Sequence, residues 1–118
     1  MKYLFLAYED ALLTSERDVM ENACRVNDEA LRTSGHLLAA EGVEGNNSAV
    51  TVRVHDGALD IADGSCTNAN EQLTWLFFIN ARDLNEAIQV ASKMPQVRGG
   101  PIEVRPIMLS DAHQSTSP

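Results

Sequence analysis

Residues 73–79 are apolar at every position except Thr74, a run too short for a free-standing helix and well suited to a strand buried on both faces. A strand of that kind belongs in the middle of a sheet. Residues 3–8 form a second such run, with Tyr3, Phe5 and Ala7 opposing Leu4, Leu6 and Tyr8. In residues 73–79 the same alternation sends Leu73, Trp75, Phe77 and Ile79 one way and Leu76 and Phe78 the other.

The segments around these runs supply the other elements. Thr14 and Ser15 offer an N-cap, Glu16 and Asp18 place negative charge in the first turn, and Gly35 ends the helix. Its apolar stripe is Val19, Met20, Ala23, Cys24, Val26, Ala30 and Leu31. Residues 36–40 read as a strand. Val50, Val52 and Val54 then alternate with polar residues, Asp56-Gly57 makes a type I′ turn, and residues 59–62 return as the second strand of a hairpin. A second helix opens at Asp83, with Glu86 in capping-box spacing, and stops at Pro95. Ile102, Val104 and Ile107 mark a last strand, with Glu103 and Arg105 turned outward.

The order is β-α-β, an inserted hairpin, then β-α-β. It predicts an α+β, ferredoxin-like split βαβ fold. The 118 residues make one domain, spanning 1–109, with a flexible polar tail at 110–118. Two helices cover one face of such a sheet, so the large side chains on the other need a second cover worth roughly 1.5–3 kcal/mol each. A homodimer packed sheet against sheet is the expected cover, and the hairpin folding over that face is the intramolecular alternative.

Seventeen acidic residues against nine basic ones give a net charge of -8, which disfavours nucleic acid and anionic membranes as partners. Glu9 and Asp10 interrupt the apolar start before it reaches signal-peptide length, and no run approaches the roughly 20 residues of a membrane span. Cys24 and Cys66 lack the spacing of a zinc site and read as free thiols, so the expected compartment is cytoplasmic. His36, His55 and His113 share no metal-binding spacing, and no glycine-rich phosphate loop or dinucleotide fingerprint is present. The expectation is no metal and no cofactor.

From the opening M-K-Y-L to E-V-R-P-I near the end, the chain resembles the YCII-related, or DGPF-domain, family of small bacterial proteins. Asp63-Gly64, Glu71-Gln72-Leu73, Ala81-Arg82-Asp83-Leu84, Glu86-Ala87, Pro95 and Glu103-Val104-Arg105-Pro106 carry the likeness. The signature departs from it: Ser65 and Cys66 stand where relatives have Pro and Phe, Asn68 and Asn70 replace Glu and Lys, and Thr74-Trp75 replaces two glycines. The resemblance implies a dimeric α/β-barrel. It also implies either acid–base chemistry by a histidine–aspartate pair on small cyclic compounds or an association with alternative sigma factors.

His36 and Asp63 are the acid–base candidates, since an imidazole oriented by a carboxylate accepts and returns a proton near neutral pH. Their structural readings are a histidine hydrogen-bonded at a strand start and an Asp-Gly turn. Glu71 and Arg105 are ligand-binding candidates or a cross-strand ion pair. Cys66 is a loop thiol able to react beside a cation, and Trp75 is a stacking platform or a core residue. Three functions follow as expectations. The first is binding of a small organic molecule in a cleft of a homodimer, favoured by the altered signature loop. The others are a lyase- or isomerase-like enzyme using His36 and Asp63, and a non-catalytic accessory protein linked to transcription regulation.

Overall fold

The computed structural model describes residues 1–10, 17–66 and 71–108. The proposed helix cap at Thr14, Ser15 and Glu16, the signature residues Asn68 and Asn70, His113 and the tail at 110–118 lie outside the described residues.

The elements are β1 (Lys2–Asp10), α1 (Arg17–Thr33), β2 (Leu37–Gly42), β3 (Val50–His55), β4 (Ala58–Asp63), β5 (Glu71–Asn80), α2 (Leu84–Lys93) and β6 (Ile102–Pro106). Short 3₁₀ turns occupy Asn46–Ser48 and Pro95–Arg98. Four strands form one antiparallel sheet in the order β2-β5-β1-β6, and β3 and β4 pair only with each other in a second sheet. This is the ferredoxin-like arrangement with an inserted hairpin, and the two apolar runs occupy its two central strands.

The barrel expectation is corrected. The four-stranded sheet is open, with β2 and β6 as its edges, and among the described residues no sheet closes on itself. Closing a barrel whose interior side chains can fill takes about eight strands, twice what this sheet holds. Pro106 also sits on edge strand β6, where its missing N–H removes a donor from the ladder.

Local chemistry explains the element ends. Gly35, at φ 84°, closes α1 in a Schellman motif in which His36 N–H donates to the Leu31 carbonyl and Gly35 N–H to that of Arg32. Asp56 and Gly57 both take positive φ, 51° and 78°, as a type I′ turn requires. Asp83 caps α2 by accepting the Glu86 N–H at 2.9 Å, and Glu86 accepts the Arg82 N–H at 3.0 Å.

The core lies between the sheet and the helices. Tyr3, Phe5 and Ala7 of β1, Phe77 and Ile79 of β5 and Leu37 of β2 pack on Ala87, Val90 and Ala91 of α2 and on Met94. Of the described α1 side chains only Leu31 packs against this core, and Ala23, Val26 and Ala30 of the expected stripe are exposed. A bulge separates the Ala7–Trp75 pair from the Tyr8–Leu73 pair, with the Thr74 hydroxyl donating to the Ala7 carbonyl at 3.1 Å. Cross-strand partners share a face, so this extra residue puts Leu73 with Tyr8 and not with Trp75.

Candidate functional site

The helix-free face of the sheet has an apolar floor and a polar end. Leu4 and Leu6 of β1 lie beside Phe78 and Leu76 of β5 in register; Leu4, Leu6 and Leu76 are half-buried and Phe78 is 38% exposed. On the other side of β1, Arg105 is opposite Leu4 and Glu103 opposite Leu6, so both side chains stand on this same face. The alternation of β6 thus aims its two charged residues at one place.

There they meet Tyr8. Its phenol donates to Glu103 Oε1 at 3.4 Å, and Arg105 Nε donates to Glu103 Oε2 at 2.6 Å. Burial, then the Glu103 carboxylate and its hydrogen bond, raise the Tyr8 phenol above its ordinary 10.0; Arg105 opposes the shift and Glu71 adds to it. The phenol therefore keeps its proton and remains a donor at neutral pH. Glu71 is close enough to act on Tyr8, but it does not form the cross-strand pair with Arg105. In the observed strand order β1 lies between β5 and β6, and Arg105 pairs with Glu103 of its own strand.

His36 and Asp63 lie in different sheets' surroundings. His36 is the residue after the Schellman glycine, with Nδ1 2.7 Å from Ser34 Oγ and Nε2 3.4 Å from Glu86 Oε1. Its carbonyl accepts the Asn80 N–H at 2.7 Å, which ties α1, β2 and β5 together. Asp63 ends β4 opposite Val50, is exposed, and precedes Gly64 at φ 98°. The carboxylate that faces the imidazole is that of Glu86. Arg82 Nη1 lies 3.4 Å from the other oxygen of that carboxylate.

Trp75 stacks on Phe77 with ring centroids 5.9 Å apart and planes 16° from parallel, and its indole lies over Gly42. Gly42 is where β2 approaches closely; a Cβ there would come within 3.2 Å of the indole. Trp75 remains 41% exposed, so one part of the ring packs and another faces solvent. Cys66 is exposed beside the undescribed residues 67–70. Cys24 is half-buried, and burial, then Asp28 and Glu21, push its thiol up to about 11. Among the described residues no group of three or more His, Cys, Asp or Glu side chains could hold a metal ion, and no helix is long and apolar enough to cross a membrane.

Sequence reasoning named Glu71 and Arg105 as lining a polar pocket or forming an ion pair, and did not single out Tyr8 or Glu103. The signal was available in part: Glu103 and Arg105 share one parity, and two charges turned to the same face of a strand mark a polar patch. Which strand lay beside them depended on topology.

Comparison with known proteins agrees with the fold. No curated protein sequence matches. Among solved structures, 5-chloro-2-hydroxyhydroquinone dehydrochlorinase from Burkholderia phenoliruptrix AC1100, in complex with 2,5-dihydroxybenzoquinone, is similar with a TM-score of 0.56. The likeness covers 92% of this chain and 94% of that one at 13% sequence identity, so it speaks to fold. The family model for the YCII-related domain matches residues 1–110. By that match, and in keeping with the motifs at Asp63-Gly64, Ala81-Arg82-Asp83-Leu84 and Glu103-Val104-Arg105-Pro106, this chain belongs to the YCII-related domain family.

Proposed function

We propose that the protein binds a small hydroxylated organic molecule on the helix-free face of its sheet, within a homodimer. The carrying observation is the position of Tyr8, Glu103 and Arg105 at the end of an apolar floor made by Leu4, Leu6, Leu76 and Phe78. A flat apolar body rests on such a floor, while a few convergent polar groups orient its substituents. Glu103 accepts from a ligand hydroxyl, and the protonated Tyr8 phenol and the Arg105 guanidinium donate to a carbonyl or a phenolate. The bound dihydroxybenzoquinone of the similar dehydrochlorinase is a compound of this chemical kind, which supports the choice of ligand class.

The homodimer reading rests on the same face. Among the described residues no element folds over the apolar side chains there: the hairpin is exposed along both strands except at Thr51, and Phe78 is left 38% exposed. Acid–base catalysis by His36 and Asp63 has less geometric support, since the imidazole is held by Ser34 and Glu86.

Isothermal titration with 2,5-dihydroxybenzoquinone, other hydroxylated quinones and lactones tests the reading. Binding is expected for at least one hydroxylated ring, and Tyr8→Phe should weaken it about tenfold, the loss of one hydrogen bond of ~1 kcal/mol or slightly more. Absence of binding by every compound, or an affinity indifferent to both Tyr8→Phe and Arg105→Ala, sinks it.

A further inference from the structure

The hairpin formed by β3 and β4 has an apolar face that nothing among the described residues covers. Val52 is opposite Ile61 and Val54 opposite Leu59, and Val50 continues the row. By strand alternation these five side chains share one face with Asp63, which stands opposite Val50 at its base, and Thr51, Arg53, His55 and Asp60 take the other. Their exposures are 58% for Val50, 60% for Val52, 73% for Val54, 66% for Leu59 and 62% for Ile61. An ordinary two-stranded ribbon turns its apolar face to a core, and isolated ribbons are marginal in water. The base of this one is nevertheless well fastened. Gly64 N–H donates to the Ala49 carbonyl at 2.7 Å, Thr51 Oγ1 donates to the Gly64 carbonyl at 2.7 Å, and Asn46 N–H donates to Gln72 Oε1 of β5 at 3.2 Å.

We infer that the hairpin is a dimerisation arm whose apolar face seats on a second copy of this chain. The argument is one of area and symmetry. Five aliphatic side chains at these exposures make a patch on the order of 500 Å², the scale at which exposed apolar patches mark interaction sites. A stable interface needs roughly 800 Å² from each partner, so the arm alone falls short. The helix-free sheet face, with Leu4, Leu6 and Leu76 half-buried and Phe78 38% exposed, is a second, partly exposed apolar surface on the same chain. A second copy related by a two-fold axis covers both surfaces at once, because each subunit supplies and receives the same elements. A different protein would need one surface shaped to fit two patches on separate sheets. The arm is rooted through Asn46 at the Glu71–Gln72 end of β5, the end of the sheet where Tyr8 lies. The arm therefore joins the dimer contact to the ligand end of the sheet.

This inference rests on the homodimer reading and specifies the element that holds it. The test is analytical ultracentrifugation of the wild type and of the double variant Val52→Thr/Ile61→Thr, together with amide exchange across a concentration series. Threonine keeps the strand preference of the ribbon while making its face polar, and circular dichroism should confirm an unchanged fold. The expected result is a wild-type dimer, a dissociation constant raised at least tenfold in the variant, and exchange in residues 50–63 that slows as dimer forms. A wild-type chain that stays monomeric defeats the homodimer reading and this inference together. A wild-type dimer with an unchanged dissociation constant in the variant, or with hairpin exchange independent of concentration, overturns the arm and leaves the homodimer reading standing.

Discussion

At Gly100 the chain has no room for a methyl group. A Cβ there would collide with the Tyr8 carbonyl and crowd Glu9 Cα, and both are backbone held in β1. Tyr8 N–H donates to the Pro101 carbonyl at 3.0 Å, so neither segment can retreat without losing that bond. Gly100→Ala should therefore cost about 1–3 kcal/mol of stability, read by urea unfolding. Gly45 is a useful contrast. A Cβ there meets only the end of the Gln72 side chain, which can swing away at the cost of its bond to Asn46 N–H. An equal loss at the two positions would refute the distinction between rigid and yielding neighbours. The cysteines differ in the same local sense. Cys24 is held protonated by burial, Asp28 and Glu21, whereas Cys66 is exposed. Alkylation near pH 8 should label Cys66 well before Cys24, and mass spectrometry of the peptides would show the reverse order if the burial were wrong.

At the scale of the element, α2 is specified at its entrance by Asp83 and Glu86. Asp83→Ala removes the acceptor of the Glu86 N–H and should cost ~1 kcal/mol, within the 0.5–2 kcal/mol range of such caps. The Glu86 carboxyl is held below its ordinary 4.5 first by the Arg82 N–H; desolvation opposes the shift, and the charges of Arg82 and His36 and the hydrogen bond to His36 add to it. A lowered carboxyl pKa contributes stability that is present above the unfolded value and lost as pH falls through the folded one. Unfolding free energy should therefore begin to drop below about pH 4.5, and Glu86→Gln should flatten part of that slope. Unchanged acid sensitivity in the variant would deny Glu86 this role. These caps were legible as sequence patterns, because a cap is settled within four residues. His36 shows the limit of local reading: the glycine before it was recognisable as a helix stop, but its acidic neighbour comes from a helix 50 residues later in the chain, Glu86.

For the whole molecule, the proposed homodimer is tested on the helix-free side of the sheet. Phe78 stands on that side with 38% of its surface exposed, so Phe78→Lys should leave the subunit folded and raise the dimer dissociation constant at least about tenfold, ~1.4 kcal/mol. A dimer indifferent to that change would place the interface elsewhere. Much of the architecture was readable from the chain alone. Alternation in residues 3–8 and 73–79, the Asp56-Gly57 turn, Gly35 and the Asp83 cap depend on contacts between near neighbours, and so name strands, hairpin and helix ends directly. What the fold decided was non-local. The extra residue at Thr74 moved Leu73 to the other face, the insertion of β1 between β5 and β6 kept Glu71 from Arg105 and gave Glu103 to Tyr8, and an open sheet took the place of a barrel. Such outcomes depend on strand order and register, which are set when distant segments pack together; periodicity within one segment tells which residues share a face but not which residues they will meet there.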